Sequence, residues 1–392
     1  MPIKLARIRS GQIGHFVFDT QYHLRRTQLT RPLYYLCTFF VGVESNTQWA
    51  KMVRRHYTVH PIFHYVWLAN RLFRNAKSYE LQLTQNYADV DSEELFGRTS
   101  SQVLFNSEEQ HKGFAYLEKL GLKNNEKFVC LLVRESSYKQ ILDKSRDWSY
   151  HSYRDSDVNL FVDAAEKLAK KGYWVIRMGK YVSDPLRSDH PRIVDYAMSK
   201  DRADFLDIWL MANCYFCITT GTGLDAVAGM SDRPCLYVNL LPLNHIKLYK
   251  NSLTVPKKLR WKRSGRLLNL EEYISHGYTS TQEYERHEIE IEELRSQEIT
   301  EVVIEMENRV SGVVDKSDDD KQRQATALSI ILESDKLNKT RHNFNHDPNA
   351  TLGSEFLKRY WAELNSKRRK TEKTGATDFI RQASKISKRK SQ

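Results

Sequence analysis

The chain has 392 residues, 40% of them hydrophobic, enough for two domains with cores of their own. Its net charge of +12 sits mostly at one end: ten Lys/Arg against Glu372 and Asp378 put +8 into residues 367–392, so the body is only mildly basic and a nucleic-acid-binding body is disfavoured. No apolar run reaches the roughly 18 residues of a membrane-spanning helix, and no signal peptide opens the chain, so a cytosolic protein is expected.

Ile3 to Ile8 reads as a strand, followed by Arg9 to His15 and a helix from about Phe16 to Arg26. This strand, Gly-containing turn and helix start form the first unit of an α/β domain. Gly11 and Gly14 either serve only tight turning and close packing, or belong to a loop that faces a cleft, with His15 beside a reacting group and the two glycines against substrate. Leu33 to Val41 is a second strand, Asn46 to Arg55 a basic helix, and Thr58 to Pro61 with the apolar run Phe63 to Phe73 extends the same small domain. Ser107-Glu108-Glu109, followed by Phe114, Leu117, Leu120 and Leu122, marks a capped helix leading into a second domain.

The second domain opens with Phe128 to Val133, an apolar run that ends in Arg134. Tyr173 to Ile176 repeats the design and ends in Arg177-Met178-Gly179-Lys180, with an amphipathic helix, Asn159 to Lys171, between them. Tyr215 to Ile218 ends in Thr219-Thr220-Gly221-Thr222-Gly223 and passes directly into a helix through Met230; Pro234 to Asn239 is a further strand. Continuous apolar runs alternating with amphipathic helices predict a parallel sheet covered on both faces. Ligands of such sheets sit beyond the carboxyl ends of the strands. There, Arg134, Arg177, Gly179, Lys180 and the turn Thr219 to Gly223 make an anion site, most naturally for phosphate, from fixed cations and free amides.

Asp155-Ser156-Asp157 has the form of a divalent-ion motif, yet immediately before Val158 these residues are placed to cap a helix, which is the preferred reading. Tyr153 and Arg154, not needed for a cap, are candidates for substrate contact. Asp201 to Ala212 carries a core stripe of Phe205, Ile208, Trp209 and Ala212. The cysteines at 37, 130, 214, 217 and 235 fall mostly in predicted strands, as reduced core thiols do. Cys214 and Cys217 have redox or zinc spacing but lack a second pair, so no metal site is expected. Helical patterns run from about Glu288 to Asn308, Asp319 to Ser334 and Gly353 to Leu364. In the basic tail, Phe379, Ile380 and Ile386 interrupt the cations, which favours an anionic membrane surface over a solvated end and places nucleic acid third.

Several stretches taken together, Gly11 to His15, the strand ending at Arg134, Trp148 to Asp157, Lys171 to Gly179, Val194 to Ala197, Asp204 to Asp207 and Thr219 to Leu224, resemble a family of glycosyltransferases encoded in bacterial O-antigen and capsule clusters. The chain is also similar, more distantly, to heptosyltransferase-like enzymes of the GT-B type, in which two Rossmann-like domains face each other across a cleft. In those enzymes an acidic residue after the first Gly-rich loop is assigned the base role; here the matching position is His15. The resemblance spans about residues 1 to 245.

The expected fold class is therefore α/β, two Rossmann-like domains facing across a cleft with a helical C-terminal extension. Its parts are an acceptor domain (1–106), a linker helix (107–126), a donor domain (127–290), a helical extension (291–365) and a basic tail (366–392). The resemblance implies a glycosyltransferase that moves a sugar from a nucleotide-diphosphate donor to a growing bacterial surface glycan or lipid-linked acceptor, with no cofactor required. The diphosphate would lie on Thr219 to Gly223, Arg134, Arg177 and Lys180, with Asp195 and Tyr196 bordering the nucleobase. His15 would act as base if the reaction inverts configuration. A nucleotide-sugar epimerase or polyol-phosphate transferase on the same scaffold, and a non-catalytic assembly module, stay open as alternatives.

Overall fold

The computed structural model describes residues 2–84, 93, 95–135, 149–246, 251–313, 317–337 and 351–366. The basic tail from 367, and Asp147 and Trp148 of the polar stretch before the first long helix of the second domain, lie outside the described residues.

Two parallel sheets organise the chain. The first has the order β1 (Ile3–Arg9), β2 (Tyr35–Val41), β3 (Thr58–Val59), all parallel, with Leu5 opposite Cys37 and Cys37 opposite Thr58. Helix Ile13–Thr30 makes the first crossover and helix Thr47–Val53 the second. The first crossover helix starts earlier and ends later than its apolar pattern suggests.

The second sheet contains β4 (Phe128–Leu132), β5 (Trp174–Arg177), β6 (Ile193–Val194), β7 (Cys217–Thr219), β8 (Cys235–Leu240) and β9 (Leu253–Pro256). After β10 (Lys258–Trp261) and β11 (Ile289–Glu292), which pair antiparallel by themselves, β12 (Thr351–Leu352) returns to its edge. The order is β12-β9-β8-β7-β4-β5-β6, parallel throughout. Every residue of β4, β5, β7 and β8 is buried, the pattern of strands covered on both faces. From β4 the chain winds outward to β5 and β6, then returns to the other side of β4 to begin β7. The topological switch point lies between β4 and β7.

One face of this sheet packs against helix Val162–Lys170 (Ala164, Leu168) and helix Ser296–Ser311 (Ile299, Val302, Met306). Among the described residues of the expected extension, β12 joins this sheet and helix Ser296–Ser311 covers it. The opposite face is covered by helix Asp204–Asn213 (Ile208, Trp209) and helix Asp225–Met230 (Ala226, Val227), and its core runs on without a break into Phe16, Val17 and Trp49 of the first unit. Wholly buried Arg25 fastens that junction, donating to the carbonyls of Thr99 and Met230 at 3.1 Å and pairing with Asp232 at 2.6 Å.

The linker helix Ser107–Leu120 starts at Asn106, whose side chain accepts from the Glu109 N–H while Glu109 accepts from the Asn106 N–H. Glu109 also receives Gln48 at 2.7 Å and Arg55, so the cap doubles as a tie to the first unit. Cys130, Cys217 and Cys235 stand side by side on β4, β7 and β8, and all five cysteines are buried and free. No group of three or more His, Cys, Asp or Glu able to hold a metal occurs among the described residues.

Candidate active site

The carboxyl ends of β4 and β7 carry Arg134 and the turn Thr219 to Gly223, and they are stitched together. The Thr220 N–H donates to the Leu132 carbonyl at 3.2 Å, and its hydroxyl accepts from the Arg134 N–H at 2.8 Å. Within the turn, the Gly221 N–H meets the Thr219 hydroxyl at 3.1 Å and the Thr222 N–H meets the Asp225 carboxylate at 2.8 Å. The amides of Thr220, Gly221 and Thr222, expected to be free for an anion, are thus engaged inside the turn. Asp225, in the first turn of the following six-residue helix, takes the place an external anion would have taken. Gly221 stands at φ +80°, which favours glycine, and a Cβ there would also press on the Leu240 side chain at 2.8 Å.

The side chains around the turn are cationic. Arg154 donates to the Gly221 carbonyl at 2.6 Å, and its buried Nε, like the Thr222 hydroxyl, has no hydrogen-bond partner among the described residues. Arg134 pairs with Asp155 at 3.2 Å. Burial first, and then the charge of Arg154, push the Arg134 guanidinium below its ordinary value, while Asp155 opposes both. Arg134 and Arg154 thus set two cations beside an unsatisfied hydroxyl and guanidinium nitrogen, which is the electrostatic form of an anion site.

Next to it lies a cavity of about 480 Å³ lined by Glu135, Tyr153, Asp155, Ser156, Lys257 and Glu293, among others. Lys257 is buried, reaches the Asp155 carbonyl and faces Glu293 at 3.7 Å; burial lowers its ammonium from the usual lysine value. Tyr153 is buried with its ring 5.6 Å from that of Tyr284, and its N–H donates to the Thr281 hydroxyl at 3.1 Å. Carboxylates and hydroxyls suit a polyhydroxylated group better than a phosphate. A larger cavity of about 730 Å³ lies between helices Val162–Lys170, Ser296–Ser311 and Ser354–Leu364. It is away from the strand ends, and the Glu305 carboxylate on its wall already caps the Ser354 and Glu355 amides, so the smaller cavity is the better candidate.

The other expected residues fall into three places. Arg177 presents no surface: it pairs with Glu135, with Asp195 at 2.9 Å and with the Asp184 carbonyl at 2.5 Å. In this conformation it is a strut that holds Glu135 at the cavity. Asp195 holds that strut and the Leu186 N–H through its Oδ2, and Tyr196 is wholly buried, donating to Asp207 at 2.9 Å. Burial is the main reason that the Asp207 carboxyl rises to about 6.

Lys180 crosses to the first unit, donating to the Ser45 carbonyl at 3.1 Å and facing Asp204 at 3.4 Å. Asp204 in turn accepts from the Thr47 N–H at 2.8 Å, so these groups form a latch. Gly179 is tight, since a Cβ there would meet Val182 at 2.7 Å. Gly14 and Gly223 bring the two units together: a Cβ on Gly14 would stand 3.0 Å from the Gly223 Cα. His15, half-buried in the first helical turn, therefore lies next to the Thr/Gly turn, whereas Gly11 is exposed one step away.

No family model and no curated protein matches the sequence. Solved structures do. They include a glycosyl transferase of family 9 from Veillonella parvula (9% identity, TM-score 0.41, covering 65% of this chain and 86% of that one). The E. coli ADP-heptose lps heptosyltransferase II matches at 12% identity and TM-score 0.34, over 61% and 86% of the two chains. E. coli heptosyltransferase WaaC, solved with ADP, matches at 14% and 0.33, over 65% and 91%. All three matches have TM-scores under 0.5 and identities of 14% or less, so the likeness carries neither a function nor any residue assignment.

Proposed function

We propose that the protein is a nucleotide-sugar-dependent glycosyltransferase whose donor diphosphate lies at the β4/β7 switch point. The observation that carries the proposal is the Arg134 and Arg154 pair beside the Thr219 to Gly223 turn, at the one place where a doubly wound sheet opens a crevice. Arg134, Arg154 and the Thr222 hydroxyl receive the diphosphate. The adjoining cavity takes hydroxyl-bearing parts of the donor through Glu135, Ser156 and Glu293, with Arg177 keeping Glu135 in place.

As the sugar departs, negative charge grows on the leaving diphosphate, and cations already fixed there stabilise the transition state more than the ground state. The same cations supply the charge that a divalent ion would otherwise bring, so turnover proceeds in chelator. The acceptor, a growing surface glycan or a lipid-linked sugar, approaches from the first unit, and His15 accepts its hydroxyl proton if the reaction inverts. Asp195 and Tyr196 keep the nucleobase role only if the loop around them moves away from Arg177 and Asp207. The protein works at the cytoplasmic side.

A thermal-shift series with UDP, GDP, CDP, CMP, ADP and dTDP tests the site, because a ligand that binds only the folded state raises its midpoint. One diphosphate should stabilise the wild type and fail to stabilise Arg134→Ala and Arg154→Ala. Equal shifts in all three proteins, or none in any, would remove the proposal.

A further inference from the structure

We infer that helix Ile62–Asn70 and the turn after it form a docking surface for an anionic lipid bilayer. The buried side of this helix is narrow: Phe63 and Trp67, one turn apart, cover Phe39, Cys37 and Leu5. Its remaining sides are apolar as well. Ile62, Tyr65, Val66 and Leu68 are exposed, and Leu72 and Phe73 just beyond are 87% and 68% exposed. Apart from Phe114, Met198 and Val313, every large apolar side chain exposed among the described residues belongs to the first unit. The exposure is therefore a local property, and local apolar exposure marks an interaction surface.

Charge identifies the occupant. From Pro61 to Tyr79 there is no carboxylate, while Arg71, Arg74 and Lys77 are all present. Arg7 and Arg71 stand over the Trp67 ring at 4.9 and 5.0 Å, and Lys4 reaches the Ser78 carbonyl. None of these five cations forms an ion pair among the described residues. Aromatic and aliphatic side chains interleaved with unpaired Arg and Lys match the headgroup boundary of a bilayer, where apolar groups enter and the cations stay with the phosphates. A second copy of the chain fits poorly, because a two-fold contact puts the same patch on both sides and this stretch has no carboxylate to receive the cations of its copy. No helix among the described residues is long and apolar enough to cross a membrane, so the contact proposed is interfacial.

The inference does not depend on the transferase reading. If both hold, docking through the first unit brings the acceptor side of the cleft to the lipid. The test uses the full chain in flotation with phosphatidylcholine vesicles, with and without phosphatidylglycerol. Each cation at an anionic surface strengthens binding about fivefold. The wild type should float with the anionic vesicles at least about tenfold more tightly than with neutral ones, and Arg71→Glu with Arg74→Glu should remove that gain.

Leu72→Glu with Phe73→Glu should lower binding to a similar degree. All four positions are exposed, so unchanged melting temperatures are expected, as is an unchanged response to nucleoside diphosphates; that response separates failure here from failure of the transferase reading. No flotation of the wild type overturns the inference. So does wild-type flotation by both double variants, which would assign binding to the basic tail. A dimer in sedimentation velocity that Leu72→Glu with Phe73→Glu dissolves would also overturn it, in favour of self-association.

Discussion

Replacing Arg177 with alanine separates its two possible roles. In the structure its guanidinium is wholly buried and is shared by Glu135, Asp195 and the Asp184 carbonyl. Alanine takes the guanidinium away from both carboxylates, and breaking a buried pair costs about 3–5 kcal/mol. The Glu135 and Asp195 side chains are 10% and 20% exposed, so water recovers part of their solvation and the low end, about 3 kcal/mol, is expected. With an unfolding entropy of about 2.1 cal/mol/K per residue over 392 residues, that is a fall in Tm of roughly 4 °C. Calorimetry reads the fall directly, and adding Glu135→Gln and Asp195→Asn to the alanine variant should recover part of it, because the stranded charges are gone. A phosphate-binding arginine behaves in the opposite way, keeping the Tm and losing the nucleotide-induced shift. An Arg177→Ala protein with unchanged Tm would refute the strut.

Two further outcomes follow from the packing. Gly113 lies mid-helix, where alanine is intrinsically favoured by about 1 kcal/mol, yet a Cβ there would sit 2.0 Å from the Trp209 ring; Gly113→Ala should lower stability by about 1–3 kcal/mol in urea unfolding, against the propensity. Glu109 is held down at about 2, burial working against this while hydrogen bonds from Arg55, Gln48 and the Asn106 N–H outweigh it. A depressed carboxylate contributes stability that is complete above the unfolded value near 4.5 and is lost as pH falls toward 2. Wild-type unfolding free energy should therefore drop by up to about 3 kcal/mol more than that of Glu109→Gln between those pH values.

Much of the frame was legible because local patterning encodes it. The runs at Phe128, Trp174, Cys217 and Cys235 are apolar without alternation, which only strands buried on both faces require, and they become β4, β5, β7 and β8. Asp157 caps the following helical turn, accepting from the Asn159 N–H at 2.8 Å, as its place before Val158 suggests. Short elements escaped. β10 falls where no element was expected, β11 in a stretch read as helical, and β12 is two residues long, so none has enough length to show a period.

The sequence by itself determined that strands would end in Arg134, Arg177 and a Thr/Gly turn, because chain order and apolar runs set which residues stand at strand ends. Only the tertiary structure decided which of those groups remain available. Glu135 and Asp195 close around Arg177, Leu132, Thr219 and Asp225 take the turn amides of Thr220, Gly221 and Thr222, and Arg154, from a different segment, arrives beside Arg134. The reason is physical: a strand end is a local property, whereas the partner that neutralises a charge is chosen by distance in three dimensions, and at a few ångströms that choice outweighs every sequence preference.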